Sequence, residues 1–385
     1  VRRTVYNEDH EAFRETLRAF IEAEVVPVYD EWCAAGQVPR EFYHKLAELG
    51  LFGIEVPEEY GGAGEESFKY QAVIYEETSR AGVSFGGSGV HVLLCLPYLK
   101  AYATEDQKKR WLPDFVNGTT MYAIAMTEPG TGSDLAGMRT TAKLSEDGAH
   151  YVLNGAKTFI TGGVHADRVI VCARTDAPRP DDRRHGISLL VVDTKAEGYS
   201  VGRKLDKLGL KVSDTAELAF TDVKVPVENL LGEENKGFSY LGQNLPQERL
   251  GIAVGSYGQA AAAVRFAQQY TQDRTVFGQS VASFQNTKFE LAACKAEVDA
   301  AEAVCDRAIE ALDAGELTPA EAASAKLFCT EVAHRVIDRC LQLHGGYGYM
   351  NEYPIARLYA DNRVNRIYGG TSEVMKSIIA KSMGL

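Results

Sequence analysis

Residues able to do chemistry are concentrated in a few glycine- and hydroxyl-rich segments spread along the 385 residues. In Ile367-Tyr368-Gly369-Gly370-Thr371-Ser372-Glu373, two adjacent glycines let the backbone turn tightly and approach a ligand with no Cβ in the way. Thr371, Ser372 and Glu373 open a stretch with helical spacing at Val374, Ser377, Ile378 and Lys381. Unpaired N–H groups and the dipole at such a start suit a phosphate or a polarised oxygen. The same residues also describe an ordinary capped turn.

Other segments repeat this chemistry. Thr127-Glu128-Pro129-Gly130-Thr131-Gly132-Ser133-Asp134 closes a strand and could approach a flat ring or a phosphate, or be a wide turn. It is not the dinucleotide fingerprint, since no Gly-x-Gly-x-x-Gly opens a βαβ unit. Lys157-Thr158-Phe159-Ile160-Thr161-Gly162-Gly163 sets an aromatic ring and a hydroxyl at a strand end, where Phe159 is a core residue or a cofactor wall. Arg274, in Arg274-Thr275-Val276-Phe277-Gly278, could grip a pyrophosphate through its planar fork or be a surface arginine in a helix–helix turn. Gln342-Leu343-His344-Gly345-Gly346 is a second polar, glycine-rich helix end, with a glycine cap in either reading. In Leu245-Pro246-Gln247-Glu248-Arg249-Leu250, which reads as the opening of a long helix, Glu248 is the one carboxylate among apolar neighbours. A glutamate there ordinarily complements the helix dipole.

The elements that must position these segments change character along the chain. Phe13, Leu17, Phe20, Ile21 and Val25 keep a helical period that Pro27 should end. Further helices are expected over 39–49, 68–80 and 88–102, and Thr104 with Gln107 forms a capping box. Short β-branched or alternating runs follow at 121–126, 149–159, 168–174, 186–193 and 215–225. Long helices return over 253–272 and 284–314, and another starts at Thr318-Pro319-Ala320-Glu321. Shorter helices are expected over 354–365 and 371–381. The fold class is therefore α+β and multidomain. It comprises an N-terminal α-helical domain (1–120), a middle β-barrel or sandwich domain (121–232) and a C-terminal four-helix bundle (233–385).

A net charge of -12 argues against nucleic acid or an anionic membrane as partner, while leaving room for a local basic pocket. No apolar run is long enough to span a bilayer, and the basic start Val1-Arg2-Arg3-Thr4 has no apolar segment behind it. A cytoplasmic protein is the expectation. The seven cysteines include no Cys-x-x-Cys pair and sit largely in helical segments, as reduced structural thiols would. The eight histidines show no metal-ligand spacing, so no metal is expected.

Together, the segments Met126–Asp134, Lys157–Gly163, Arg274–Gly278, Gln342–Gly346 and Ile367–Glu373 resemble the acyl-CoA dehydrogenase flavoproteins, in the family's order and over essentially the whole chain. The resemblance implies an FAD site. Ile124, Met126, Thr127, Gly132 and Ser133 would hold the flavin and ribityl, with Phe159, Ile160 and Thr161 against the ring. Arg274, Phe277 and Gln285 would reach the FAD of a neighbouring subunit, as would Gln342, Leu343, His344, Gly345 and Gly346. Thr371, Ser372 and Glu373 would bind pyrophosphate or ribose. The acyl-CoA would meet Ser133, Arg184, His185, Ser239, Pro246, Gln247, Arg249, Gly369 and Gly370. Many members carry their catalytic glutamate where this chain has Gly369. The long-chain and isovaleryl-CoA subgroups carry it instead in a Glu-Arg-Leu context, as at Glu248, and the pairing of Leu245–Leu250 with Tyr368–Thr371 resembles the long-chain subgroup. The implied reaction is α,β-dehydrogenation of a saturated acyl-CoA to trans-2-enoyl-CoA in fatty acid β-oxidation, by a homotetramer that passes electrons to an electron-transfer flavoprotein. An acyl-CoA oxidase or a non-catalytic flavin- or acyl-CoA-binding protein are the rivals. Gly86, Gly87 and Gly89 either deepen an acyl pocket for medium to long chains or serve close packing.

Overall fold

The structure is a computed structural model and describes residues 3–385. The start at Val1 and Arg2 lies outside the described residues.

The chain opens with α1 (Glu8–Phe20), α2 (Tyr29–Ala35), α3 (Arg40–Glu48), α4 (Lys69–Ala81), α5 (Leu96–Tyr102) and α6 (Glu105–Val116). The Thr104–Gln107 capping box is present, with both reciprocal bonds. Pro27 does not end the first helical run as expected. A π turn (Ile21–Val25) and a 3-10 turn (Val26–Val28) carry the chain past it into α2, because a proline lacking its N–H fits the first turn of a new segment. A second π segment, Val90–Cys95, leads into α5 and touches both the sheet and the long helix α7 described below.

The β block is an eight-stranded sheet of order β6-β7-β3-β2-β4-β5-β8, with β1 paired to β4. Its strands are β1 (Tyr122–Ala125), β2 (Thr141–Leu144), β3 (His150–Thr161), β4 (Arg168–Arg174), β5 (Ile187–Asp193), β6 (Tyr199–Lys204), β7 (Thr215–Pro226) and β8 (Leu230–Leu231). The near-continuous apolar runs of β4 and β5 follow from burial on both faces. Ile170, Cys172, Leu189 and Val191 join the core of the N-terminal helices, while Val169, Val171, Leu190 and Val192 fill the core on the other face.

Helix α7 (Gly237–Asp273) runs unbroken through Pro246. The expectation that Leu245–Leu250 begins a helix is thereby corrected: Glu248 lies in the interior of α7, away from its N-terminus. One missing N–H is tolerable inside a helix of 37 residues packed along much of its length. A hairpin, β9 (Thr275–Val276) and β10 (Gln279–Ser280), joins α7 to α8 (Gln285–Asp313). Then come α9 (Pro319–Leu343), with its Thr318 capping box, α10 (Pro354–Asn362) and α11 (Ser372–Ser382). Helices α7, α8 and α9 pack on one another through small residues such as Ala260, Ala263, Ala301 and Ala333, and α11 lies against α9.

Helix α4 also packs on α7, and three glycines permit it. A Cβ on Gly251 or Gly255 would press on the Tyr75 ring, and one on Gly258 would come within 2.9 Å of Ser79 Cβ. Gly258→Val should therefore lower stability by about 1–3 kcal/mol through overpacking, seen as an earlier urea midpoint. Adding Ser79→Gly should recover part of the loss; an unchanged midpoint in the single variant would contradict this packing.

Candidate active site

Glu248, Gly251, Ile252 and Gly255 share a face of α7 at helical spacing, and the Tyr75 ring lies against it. Gly369 crosses this face: a Cβ there would strike Ile252 Cδ1 and lie 3.6 Å from Glu248 Oε1. Gly369 and Gly370 both have positive φ, +63° and +98°, which glycine adopts without strain. Gly369 and the Glu248 carboxylate thus face each other, with no side chain on the glycine side.

The surroundings set the charge state of Glu248. Burial pushes its carboxyl up to about 7, against the pull of Arg249 and Lys326. Tyr75, Tyr98 and Tyr368 feel that carboxylate, and burial raises all three phenols well above their ordinary value. The Tyr368 hydroxyl donates to Asn365 Oδ1 at 2.7 Å. Behind the turn, Arg249 Nε donates to Gly369 O at 3.3 Å and Lys326 Nζ donates to Gly370 O at 2.7 Å. The N–H groups of Gly369 and Gly370 have no acceptor among the described residues. Lys326 escapes sequence reasoning because a lysine within an alanine-rich helix normally points to solvent.

A second cluster forms at the end of β3. A bulge between Lys157 and Ile160 shifts the register with β7, and Phe159 takes φ +60° with its ring 67% exposed. Bulges re-aim side chains in this way. Thr158 N donates to Thr127 O at 2.9 Å, tying the bulge to the 127–134 loop. The loop is pinned by a buried pair. Lys157 Nζ donates to Met126 O and to Glu128 Oε1, both at 3.0 Å, and Glu128 accepts from the N–H groups of Arg139 and Thr140. Burial opposes ionisation of Glu128, but Lys157 and these donors outweigh it and hold the carboxyl below its usual range. Ile124 and Ile160 are buried in the helical and sheet cores, on strands paired with β4 and β7. Thr161 and Met126 are partly exposed beside Phe159, and Gly132 and Ser133 are exposed on the loop.

A salt bridge from Arg183 to Asp134 at 2.8 Å draws the 183–185 loop to the 132–134 loop, so Ser133 and Arg184 sit on adjoining segments. The Arg184 guanidinium lies over Phe238, next to Ser239 at the start of α7. His185 Nε2 is 3.1 Å from Asp176 Oδ2. Pro246 is buried and Gln247 partly so, in the turn of α7 before Glu248.

A third cluster is apart from the first two. Arg274, Leu343, His344, Gly345 and Gly346 line one cleft of about 510 Å³ with Tyr270 and Tyr347. His344 stacks on Tyr270, and the Arg274 guanidinium lies over Tyr347. Gln285 and Gln342 are exposed near this end of the bundle, and Phe277, at φ +49° on the hairpin, is 95% exposed. At the head of α11, the Thr371 hydroxyl accepts from Val374 N and Ser372 Oγ donates to Glu331, whereas Glu373 is exposed.

The glycines at 86–89 divide between the two readings. A Cβ on Gly86 would press on Val38 and the Tyr43 hydroxyl, and one on Gly87 would press on Gly162, so these serve close packing. Gly89 alone faces open space.

No helix among the described residues is long and apolar enough to cross a membrane. Three family models match in sequence: acyl-CoA dehydrogenase N-terminal domain over 7–119, middle domain over 123–223 and C-terminal domain over 235–384. The chain belongs to the acyl-CoA dehydrogenase family and is an oxidoreductase acting on CH–CH groups. It is 43% identical over 381 residues to the mitochondrial long-chain specific acyl-CoA dehydrogenase of Sus scrofa, covering 99% of this chain and 88% of that one. It is 37% identical to the caffeyl-CoA reductase-Etf complex subunit CarC of Acetobacterium woodii, over 97% of this chain and 98% of the relative. Among solved structures, an acyl-CoA dehydrogenase from Geobacillus kaustophilus superimposes with a TM-score of 0.95 at 46% identity, covering 99% of both chains. One from Bacillus anthracis complexed with FAD gives 0.90 at 34% identity, covering 98% of this chain and 67% of that one.

The contact of Gly369 with Ile252 and its positive φ predict that Gly369→Ala costs about 1–2 kcal/mol of stability and slows turnover. Thermal melting and a steady-state assay check this together. A variant as stable and as fast as the parent would show that the turn does not need glycine.

Proposed function

We propose that the chain is an FAD-dependent acyl-CoA dehydrogenase that converts a saturated acyl-CoA to the trans-2-enoyl-CoA with Glu248 as the base. The observation that carries this reading is Glu248 itself, a carboxylate in an apolar site beside a turn that presents free N–H groups. The α-hydrogen of a thioester is weakly acidic, so its removal needs a base of suitable pKa and donors for the oxygen on which charge develops. Glu248 supplies the first. The Gly369–Gly370 turn is suited to the second, since its carbonyls are held by cations and its amides are unoccupied.

The residues fit FAD: Phe159 presents an otherwise unexplained exposed ring beside Met126, Thr127 and Thr161, and Ser133 and Gly132 lie on the adjoining loop. FAD supplies an acceptor for the hydrogen lost from the β-carbon as hydride. Thr371 and Glu373 at the head of α11 would hold its pyrophosphate or ribose. The cleft of Arg274 and Leu343–Gly346, with Gln285, Gln342 and Phe277, lies apart from the Phe159 cluster. We assign it to the FAD of a second copy in a homotetramer, and the nearly bare Phe277 ring supports burial by another subunit. Ser133, Arg184, His185 and Ser239 line the approach for the CoA portion. Pro246, Gln247, Arg249, Gly369 and Gly370 surround the thioester end. The open side of Gly89 favours a medium to long acyl chain. Electrons pass to an electron-transfer flavoprotein, a partner class to which one relative's name refers.

Anaerobic mixing with a series of saturated acyl-CoAs should bleach the flavin, best with medium to long chains. Glu248→Gln should keep FAD and acyl-CoA binding while bleaching slows by at least about 10³-fold; normal bleaching in that variant would refute the base assignment. Rapid reoxidation by air with peroxide release would instead identify an oxidase. The base must be ionised, so kcat/KM for the free enzyme should fall about tenfold per pH unit below an inflection near 7. An inflection near the ordinary glutamate value would show that Glu248 is not the group titrating.

A further inference from the structure

We propose that Lys326, in α9, is a positioning residue for proton transfer at Glu248: it fixes the Gly370–Thr371 peptide and places a positive charge behind the base. The inference rests on Glu248 being the base.

Lys326 has no solvent exposure, and its ammonium makes one hydrogen bond, to Gly370 O. Burying an ammonium without a carboxylate partner is costly, and an apolar side chain of similar volume would fill the space more cheaply. Among the described residues no salt bridge relieves the charge: Glu331 is taken by Arg366 and Ser372, and Glu373 is exposed. The charge therefore calls for a reason beyond packing, and the turn provides one.

Peptide units are planar, and none here is cis, so holding a carbonyl aims the N–H of the same unit the opposite way. Lys326 holds Gly370 O, and with it the direction of the Thr371 N–H. Arg249 holds Gly369 O and so directs the Gly370 N–H. The two cations thus set a turn whose glycines would otherwise be free to rotate.

The charge acts on the base as well. Facing Glu248 are Arg249 on its own helix, Tyr75 from α4, Tyr98 from α5, Tyr368 from the turn and Lys326 from α9. Of these only Arg249 and Lys326 are cationic at neutral pH. Burial pushes Glu248 up, and the cations, Arg249 before Lys326, draw it back to about 7. Burial also draws Lys326 down to about 8, so at neutral pH it still carries most of its charge. Removing that charge disfavours the carboxylate, and the pKa of Glu248 must rise.

Three substitutions separate charge from shape in the FAD-loaded enzyme, with palmitoyl-CoA as the probe. Lys326→Gln keeps a donor without charge and should move the acidic limb of kcat/KM up by about one pH unit, with rates converging on the parent's at high pH. Lys326→Met should move the limb likewise and also lower the high-pH rate, because the turn is released. Lys326→Arg should leave the limb near the parent's position. Infrared titration gives a readout independent of turnover: the protonated-carboxyl band that disappears in Glu248→Gln should titrate at higher pH in Lys326→Gln. Coincident limbs and infrared titrations in the parent, Lys326→Gln and Lys326→Met would overturn the proposal, whatever the rates. If Glu248→Gln itself bleaches normally, the base assignment fails first; if it does not bleach and the Lys326→Gln limb stays put, only the role of Lys326 fails.

Discussion

Two buried cations hold the carbonyls of a two-glycine turn against the Glu248 carboxylate, and the geometry of the candidate site depends on that arrangement. Arg249 comes from α7 and Lys326 from α9, so the turn is gripped from two helices packed along each other. The grip is stiff because both helices are anchored elsewhere. The contact of α4 with α7 requires Gly251, Gly255 and Gly258, and the α7–α9 seam is lined with alanines. A shift of either helix would move a cation relative to the turn and change both the amide directions and the field at Glu248.

Glu248 owes its ionisation behaviour to the same packing. Tyr75, Tyr98, Tyr368 and Ile252 lie around Glu248; burial raises its pKa, and two cations limit the rise. Tuning by opposed effects of this size is sensitive to either one. A glutamate at 369 would meet Ile252 and lie against Glu248, setting two carboxylates side by side in an apolar space. A side chain at 369 would thus compete for space with the carboxylate that α7 places there.

Much of this was legible in the sequence, and the exceptions have physical reasons. The succession of helices, sheet and helices followed from periodicity, and the Thr104 and Thr318 caps from local hydrogen-bonding rules. Periodicity missed β2, β6 and β8, because β6 is largely exposed and β8 is only two residues long. Pro246 misled because the packing that lets a helix run through proline is tertiary. The glycine-rich segments at 127–134, 157–163 and 369–370 were found by composition, but the bulge that turns Phe159 outward depends on pairing with β7. Lys157, Glu128 and Lys326 were not singled out, since nothing in local spacing distinguishes a buried lysine from a surface one.

Those overlooked residues share a feature that bears on the rest of the site. Lys157 grips the loop beside the predicted flavin ring through Met126 O, and Lys326 grips the turn beside the base through Gly370 O. In each case a buried ammonium holds a backbone carbonyl of a glycine-bearing segment. A neutral side chain could make the same hydrogen bond at lower desolvation cost. The difference lies in Lys157 having Glu128 as counter-ion, which confines its field to the loop, whereas Lys326 has none in contact. Its charge is felt by Glu248 instead. It lies beside Glu248 rather than beside the 127–134 loop, and so favours ionisation of a carboxyl that burial would otherwise keep protonated.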